Sequence, residues 1–129
     1  MTNGLLVKFL RFWFPVILYS GIIFYVSSIP NVTTPLQKIY FDKILHVLEY
    51  LPFGFLVARG IHGTKLSISG RMLVIGVGMA TIMFGASDEY HQSFVAGRNS
   101  GIPDLIGDTI GGVVGGYIYL KYFIKKRQY

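Results

Sequence analysis

The chain contains no cysteine. Disulfides, thiolate nucleophiles and cysteine-built zinc or iron–sulfur sites are therefore excluded, and cysteine usage says nothing about the compartment. Charge is scarce too. Only 14% of the 129 residues are Asp, Glu, Lys or Arg, against roughly 25% in an ordinary soluble domain. No basic stripe interleaved with aromatics is present, so no nucleic-acid partner is expected. No linker, low-complexity tract or separate soluble segment is left over, and residues 1–129 read as a single domain.

What is abundant is apolar sequence, at 52% of residues. It comes in long blocks rather than a 3.6-residue stripe, which suits a lipid solvent. The blocks cover about residues 12–29, 44–58, 72–86 and 103–123. The first follows Lys8 and Arg11 and has Trp13 at its edge as an interfacial anchor. It lacks an A-x-A-like exit, so an uncleaved helix is expected rather than a signal peptide. The second contains Pro52, where a kink is expected. The second and third are short for a span of roughly 20 residues, so each is expected to extend into its polar flank, through 42–50 and through 88–94. The expected fold is all-α: an integral membrane bundle of about four transmembrane helices.

Lys and Arg are unevenly placed. Lys8, Arg11, Arg59, Lys65, Arg71, Lys121, Lys125, Lys126 and Arg127 fall on one side of such a bundle; Lys38, Lys43 and Arg98 fall on the other. That bias predicts both termini in the cytoplasm. The six acids, Asp42, Glu49, Asp88, Glu89, Asp104 and Asp108, then all fall toward the outer side, together with His46 and His91.

Two segments concentrate the chemistry. Asp42, His46 and Glu49 are spaced i, i+4 and i+7 and share one helical face. A helix N-terminus accounts for Asp42. Glu49 lies about two turns deeper, where an ionisable group in lipid usually faces a cavity or a partner. In the segment 88–98, Asp88 is spaced to pair with His91 or Gln92, and a carboxylate on one imidazole nitrogen raises the basicity of the other. Gly97 permits a tight turn that aims Arg98 at the cluster, and Arg suits phosphate or carboxylate. A solvated polar loop is the plainer account of the same residues. Asp104 and Asp108 continue the face of Gly111 and Gly115, and small-residue stripes mark where helices meet in lipid. Both carboxylates are therefore expected to point into the bundle. His91, Asp88, Glu89, His46 and Glu49 are the candidate catalytic groups, and Arg98, Gln92, Asp104 and Asp108 the candidate binding groups. His and carboxylate ligands also suit a divalent cation such as zinc or manganese, although no H-E-x-x-H signature is present.

These segments resemble the VanZ-like membrane protein family. The resemblance is carried by Asp42-Lys43, His46, Tyr50 and Gly54, then by Asp88-Glu89, His91-Gln92, Phe94, Gly97-Arg98, Asp104, Asp108 and Gly111. It covers about residues 42–116. The chain departs from the family pattern at Ala96, where proline is frequent, and at Asp108, where asparagine is common. The resemblance implies a multi-span protein of the bacterial cytoplasmic membrane, in a family whose founding members are associated with resistance to the glycopeptide teicoplanin. Besides the lipid bilayer, the expected partner is an anionic, lipid-linked envelope component held at the outer face, with a homo-oligomer through the glycine-rich fourth helix as a further possibility. Three alternatives stay open: a non-enzymatic binder of a surface glycolipid, a proton- or cation-coupled transporter, and a bundle whose polar face only anchors it.

Overall fold

The computed structural model describes residues 2–30, 35–64 and 67–124, and these are helical apart from short turns. The helices are α1 (Thr2–Phe12), α2 (Phe14–Ser27), α3 (Pro35–Thr64), α4 (Gly70–Gln92) and α5 (Ile102–Tyr119), the last running into a π-helical turn at Leu120–Ile124. Lys65, Lys125, Lys126 and Arg127, and the side chain of Lys38, lie outside the described residues.

Three stretches of the described residues are long and apolar enough to cross a membrane: Gly4–Ser27, Phe41–Thr64 and Gly70–Gln92. The first joins α1 and α2. Pro15 has no N–H to donate to the Arg11 carbonyl and interrupts the ladder near Trp13, but Trp13 N–H still bonds the Phe9 carbonyl at 2.8 Å and Ile17 N–H the Trp13 carbonyl at 3.0 Å. The helix thus starts about ten residues before the first apolar block. Lys8 and Arg11 lie within it rather than ahead of it, as long side chains can when their heads reach toward polar surroundings. Both short blocks do extend into their flanks: α3 begins ahead of Asp42 and runs through Pro52, and α4 continues to Gln92. The fourth block forms α5, which carries two aspartates and five glycines and is not among the three stretches long and apolar enough to cross a membrane.

The bundle is polar inside and apolar outside at one end. Asp88, Glu89, Gln92, Asp104, Asp108 and His46 are buried, whereas Ile44, Leu48, Met79, Met83 and Ile106 are exposed. In water so large an apolar surface would aggregate; in lipid it is the expected outer face. The apolar core proper, around Ile23, Tyr50, Phe53, Val57, Leu73 and Val77, lies deeper along the helices.

Glycine positions α5. Its contact with α3 is the most extensive in the molecule. A methyl group on Gly111 would collide with the Val47 carbonyl, and one on Gly115 with the Leu51 carbonyl, so one stripe of α5 lies directly on the α3 backbone. Gly112 and Gly116 turn to Thr81 and Val77 of α4. Both stripes are thus taken up within the chain. The opposite end is basic and aromatic: Arg11 and Arg59 each lie 5.4 Å from the centroid of the Phe12 ring. Together with His62 and Tyr119 they border a cavity of about 350 Å³.

Gly115→Ala is expected to destabilise the bundle by about 1–3 kcal/mol, the range for overpacking a close contact. Gly21→Ala, where the added carbon meets nothing within 4 Å, should be neutral or slightly stabilising. Thermal unfolding of both variants in one detergent, followed by circular dichroism, checks the contrast.

Candidate functional site

The polar end is assembled from α3, α4, α5, the α4–α5 loop and the last turn of α2. It contains two buried networks and one open cleft.

The first network surrounds Asp88, which is fully buried. Ser27 Oγ donates to Asp88 Oδ1 at 2.7 Å, and Gln92 Nε2 donates to Oδ2 at 2.9 Å. The Tyr50 hydroxyl approaches Oδ2 at 3.5 Å. Asp88 thereby ties α2 and α3 to α4. The i, i+4 contact with Gln92 is the one its spacing allowed. The alternative pairing with His91 does not form: His91 Nε2 lies 2.8 Å from Ser28 Oγ, and its ring sits beside Phe24 with centroids 5.1 Å apart. Both residues meet the end of α2, but on adjacent serines: Asp88 is buried on Ser27, whereas His91 lies nearer the surface on Ser28.

The second network surrounds His46. Its Nδ1 lies 2.7 Å from Asp108 Oδ1 and 3.9 Å from Glu89 Oε1. All three residues are buried and come from three different helices. Glu89 Oε2 accepts the Gly101 backbone N–H at 2.9 Å, which fixes the carboxylate from behind. One oxygen of each acid, Glu89 Oε1 and Asp108 Oδ2, is buried without a hydrogen-bond partner. Beside this network the Lys43 ammonium pairs with Asp104. Asp104 and Asp108 therefore both point into the bundle, as the glycine register implied.

The cleft is bordered by Asp42, His46, Glu49 and Arg98, with Val26, Leu45 and Leu48 at its edge, and measures about 350 Å³. The α4–α5 turn, with Gly97 at φ 74°, sets Arg98 against α2. There Arg98 Nη2 donates to the Val26 carbonyl at 2.9 Å and Nε to the Ile29 carbonyl at 3.2 Å. Both carbonyls lie at the C-terminal end of α2, where the helix runs out of regular donors, and the Val26 carbonyl also accepts the Ile29 N–H at 3.1 Å. Arg98 is thus partly committed to holding the helix end. The cleft brings together His46, Glu49 and Arg98 of the candidate groups, with Asp42 beside them. Asp88, Gln92 and His91 stand apart from it, and His46 belongs to both the cleft and the second network.

Sequence reasoning missed Ser27, Ser28 and the pairing role of Lys43. Serines at the end of an apolar block carry little signal, since they commonly bond their own helix carbonyls, as Ser28 also does.

The fold and these buried groups define a multi-pass helical membrane protein with an acidic, histidine-containing site at one end. A model of the VanZ/LLP1 family matches residues 5–125, nearly the whole chain, and the protein belongs to that family. No curated protein and no solved structure matches the chain.

Asp88→Ala is expected to cost about 1–3 kcal/mol by leaving buried donors unpaired. The double variant with Ser27→Ala should lose less than the sum of the two single losses, because both act on one bond. Chemical unfolding of the four proteins in mixed micelles measures that coupling.

Proposed function

We propose that the protein is a bacterial cell-envelope membrane protein whose cleft takes the headgroup of an anionic, lipid-linked envelope component. One observation carries this reading: the cleft is amphipathic, with exposed leucines at its edge. Leu45 and Leu48 at its edge are 44% and 57% exposed on the apolar surface of the bundle, while Asp42, His46, Glu49 and Arg98 form its polar part. An amphiphile in the bilayer meets such a cleft with its chain against the leucines and its headgroup against the polar groups. Arg98 offers the remaining guanidinium N–H groups to phosphate or carboxylate. Glu49 and Asp42 offer acceptors for hydroxyl or ammonium groups.

In this reading the acidic end faces outward and both termini are cytoplasmic, in the cytoplasmic membrane. The Lys and Arg bias supports that orientation, as does the gathering of Arg11, Arg59 and His62 at the opposite end. The family's link to teicoplanin resistance gives a phenotype in which engagement of such a component would register. His46 replaces His91 as the residue to weigh for acid–base work, because His46 borders the cleft and His91 lies on Ser28.

Two experiments test the reading. In a teicoplanin-sensitive Gram-positive host, expression is expected to protect selectively against teicoplanin over vancomycin. Arg98→Ala and Glu49→Ala at matched membrane levels should abolish protection, and His91→Ala should retain most of it. Protection that survives loss of both cleft residues would reject the cleft as the site. For orientation, Ser100→Cys in the otherwise cysteine-free chain is expected to react with an impermeant thiol reagent from outside the cell, and Ser67→Cys only after lysis. The reverse pattern would turn the site to the cytoplasm.

A further inference from the structure

We infer that His46, Glu89 and Asp108 form a binding site for one divalent cation of the zinc or manganese class. The three residues offer ligand atoms that all lie within 4.8 Å of one another. A tetrahedral site with bonds of about 2.0 Å separates its ligands by roughly 3.3 Å. The separations of 2.7 and 3.9 Å from His46 Nδ1 to the two carboxylates bracket that value, so small side-chain adjustments suffice.

Burial and missing partners distinguish these two acids from a surface cluster. Glu89 is 8% exposed and Asp108 0%, yet each turns an oxygen without a partner into the buried space. Leaving such an atom unpaired is costly, more so for a charged group. Two carboxylates and a neutral imidazole also carry two negative charges, which a divalent cation balances. Among the described residues, the neighbouring cations are turned to other partners. Lys43 is engaged by Asp104, and Arg98 is turned to the α2 carbonyls.

The surroundings fit the role of a ligand-orienting shell. Gly101 N–H holds the far oxygen of Glu89 and leaves Oε1 toward His46. Gly85 leaves room beside Asp108 Oδ2, where a side-chain carbon would sit 3.0 Å away. Imidazole and carboxylate donors without thiolate select zinc or manganese rather than softer ions. Three protein ligands leave a coordination position open, and His46 also borders the cleft. A second grouping, Asp42, His46 and Asp104, shares the histidine, but Asp104 is already neutralised by Lys43.

The inference stands apart from the identity of the cleft's lipid, and a negative susceptibility assay would leave it intact. Its test is metal content. The purified full chain in detergent is loaded with zinc or manganese, desalted and analysed by mass spectrometry for metal. Wild type and Ser93→Ala, a change at an exposed position outside the cluster, are expected to retain about one ion per chain and to unfold at higher temperature when loaded, by linkage of binding to folding. Glu89→Gln and Asp108→Asn keep the side-chain shape and remove a buried charge; they are expected to lose both the ion and the thermal shift. If either variant does not fold, cobalt(II) titration of wild type decides. A ligand-field spectrum that saturates at one equivalent and is displaced by zinc supports the site. Wild type that retains no metal, shows no thermal shift and gives only the aqua-cobalt spectrum overturns the proposal, as does unchanged metal content in both variants.

Discussion

An ionised carboxylate in the middle of a bilayer costs about 2.5–3.5 kcal/mol even on the gentlest scale, and that cost organises this chain. Four of its six acids are buried within helices. Each has been given its own solution. Asp88 receives serine and glutamine donors, Asp104 receives Lys43, and Glu89 and Asp108 converge on His46. None of these arrangements can form unless α3, α4 and α5 lie side by side, with α2 close enough to lend Ser27. The polar contacts are therefore also the contacts that specify how the helices are arranged.

Small residues make that convergence possible. Lipid supplies little hydrophobic drive between helices, so their association depends on close packing and interhelical hydrogen bonds. The α5 glycines let its backbone rest on α3 along one stripe and on α4 along the other. Asp104 and Asp108 sit at the start of the same helix, where the stripe gives way to carboxylates. The short reach of an aspartate is sufficient there because the backbones are already close. Toward the other end, the same helix meets an aromatic cluster in which Tyr119 stacks on Phe123 and its hydroxyl lies 3.0 Å from His62 Nδ1. One helix thus carries a polar site at its beginning and an aromatic seal at its end.

The bundle and the inward direction of Asp108 were legible because both follow from period: apolar blocks for the spans, and glycine spacing for the protein-facing side of α5. On α3 the spacing gave the shared face of Asp42, His46 and Glu49, and these three do border one cleft. The division of labour between Asp88 and Glu89 was not. Adjacent residues on a helix point about 100° apart, and which of them meets α2 and which meets α5 depends on how α4 is rotated in the bundle. His91 illustrates the same limit. Its spacing permitted a bond to Asp88, but a serine 63 residues away takes that role. Local spacing states which contacts are possible, and tertiary packing selects among them.

The reading as a whole turns on whether the cleft between Leu48 and Arg98 selects a lipid. The direct measurement is photocrosslinking in living cells, with a photoreactive amino acid placed at Leu48 on the cleft edge or at Met79 on the open face of α4, followed by mass spectrometry of the lipid adducts. The account predicts that Leu48 adducts are enriched in an anionic, lipid-linked envelope species, that the enrichment disappears with Arg98→Ala, and that Met79 captures only bulk phospholipid. The same lipid profile at both positions, unaffected by Arg98→Ala, would contradict it.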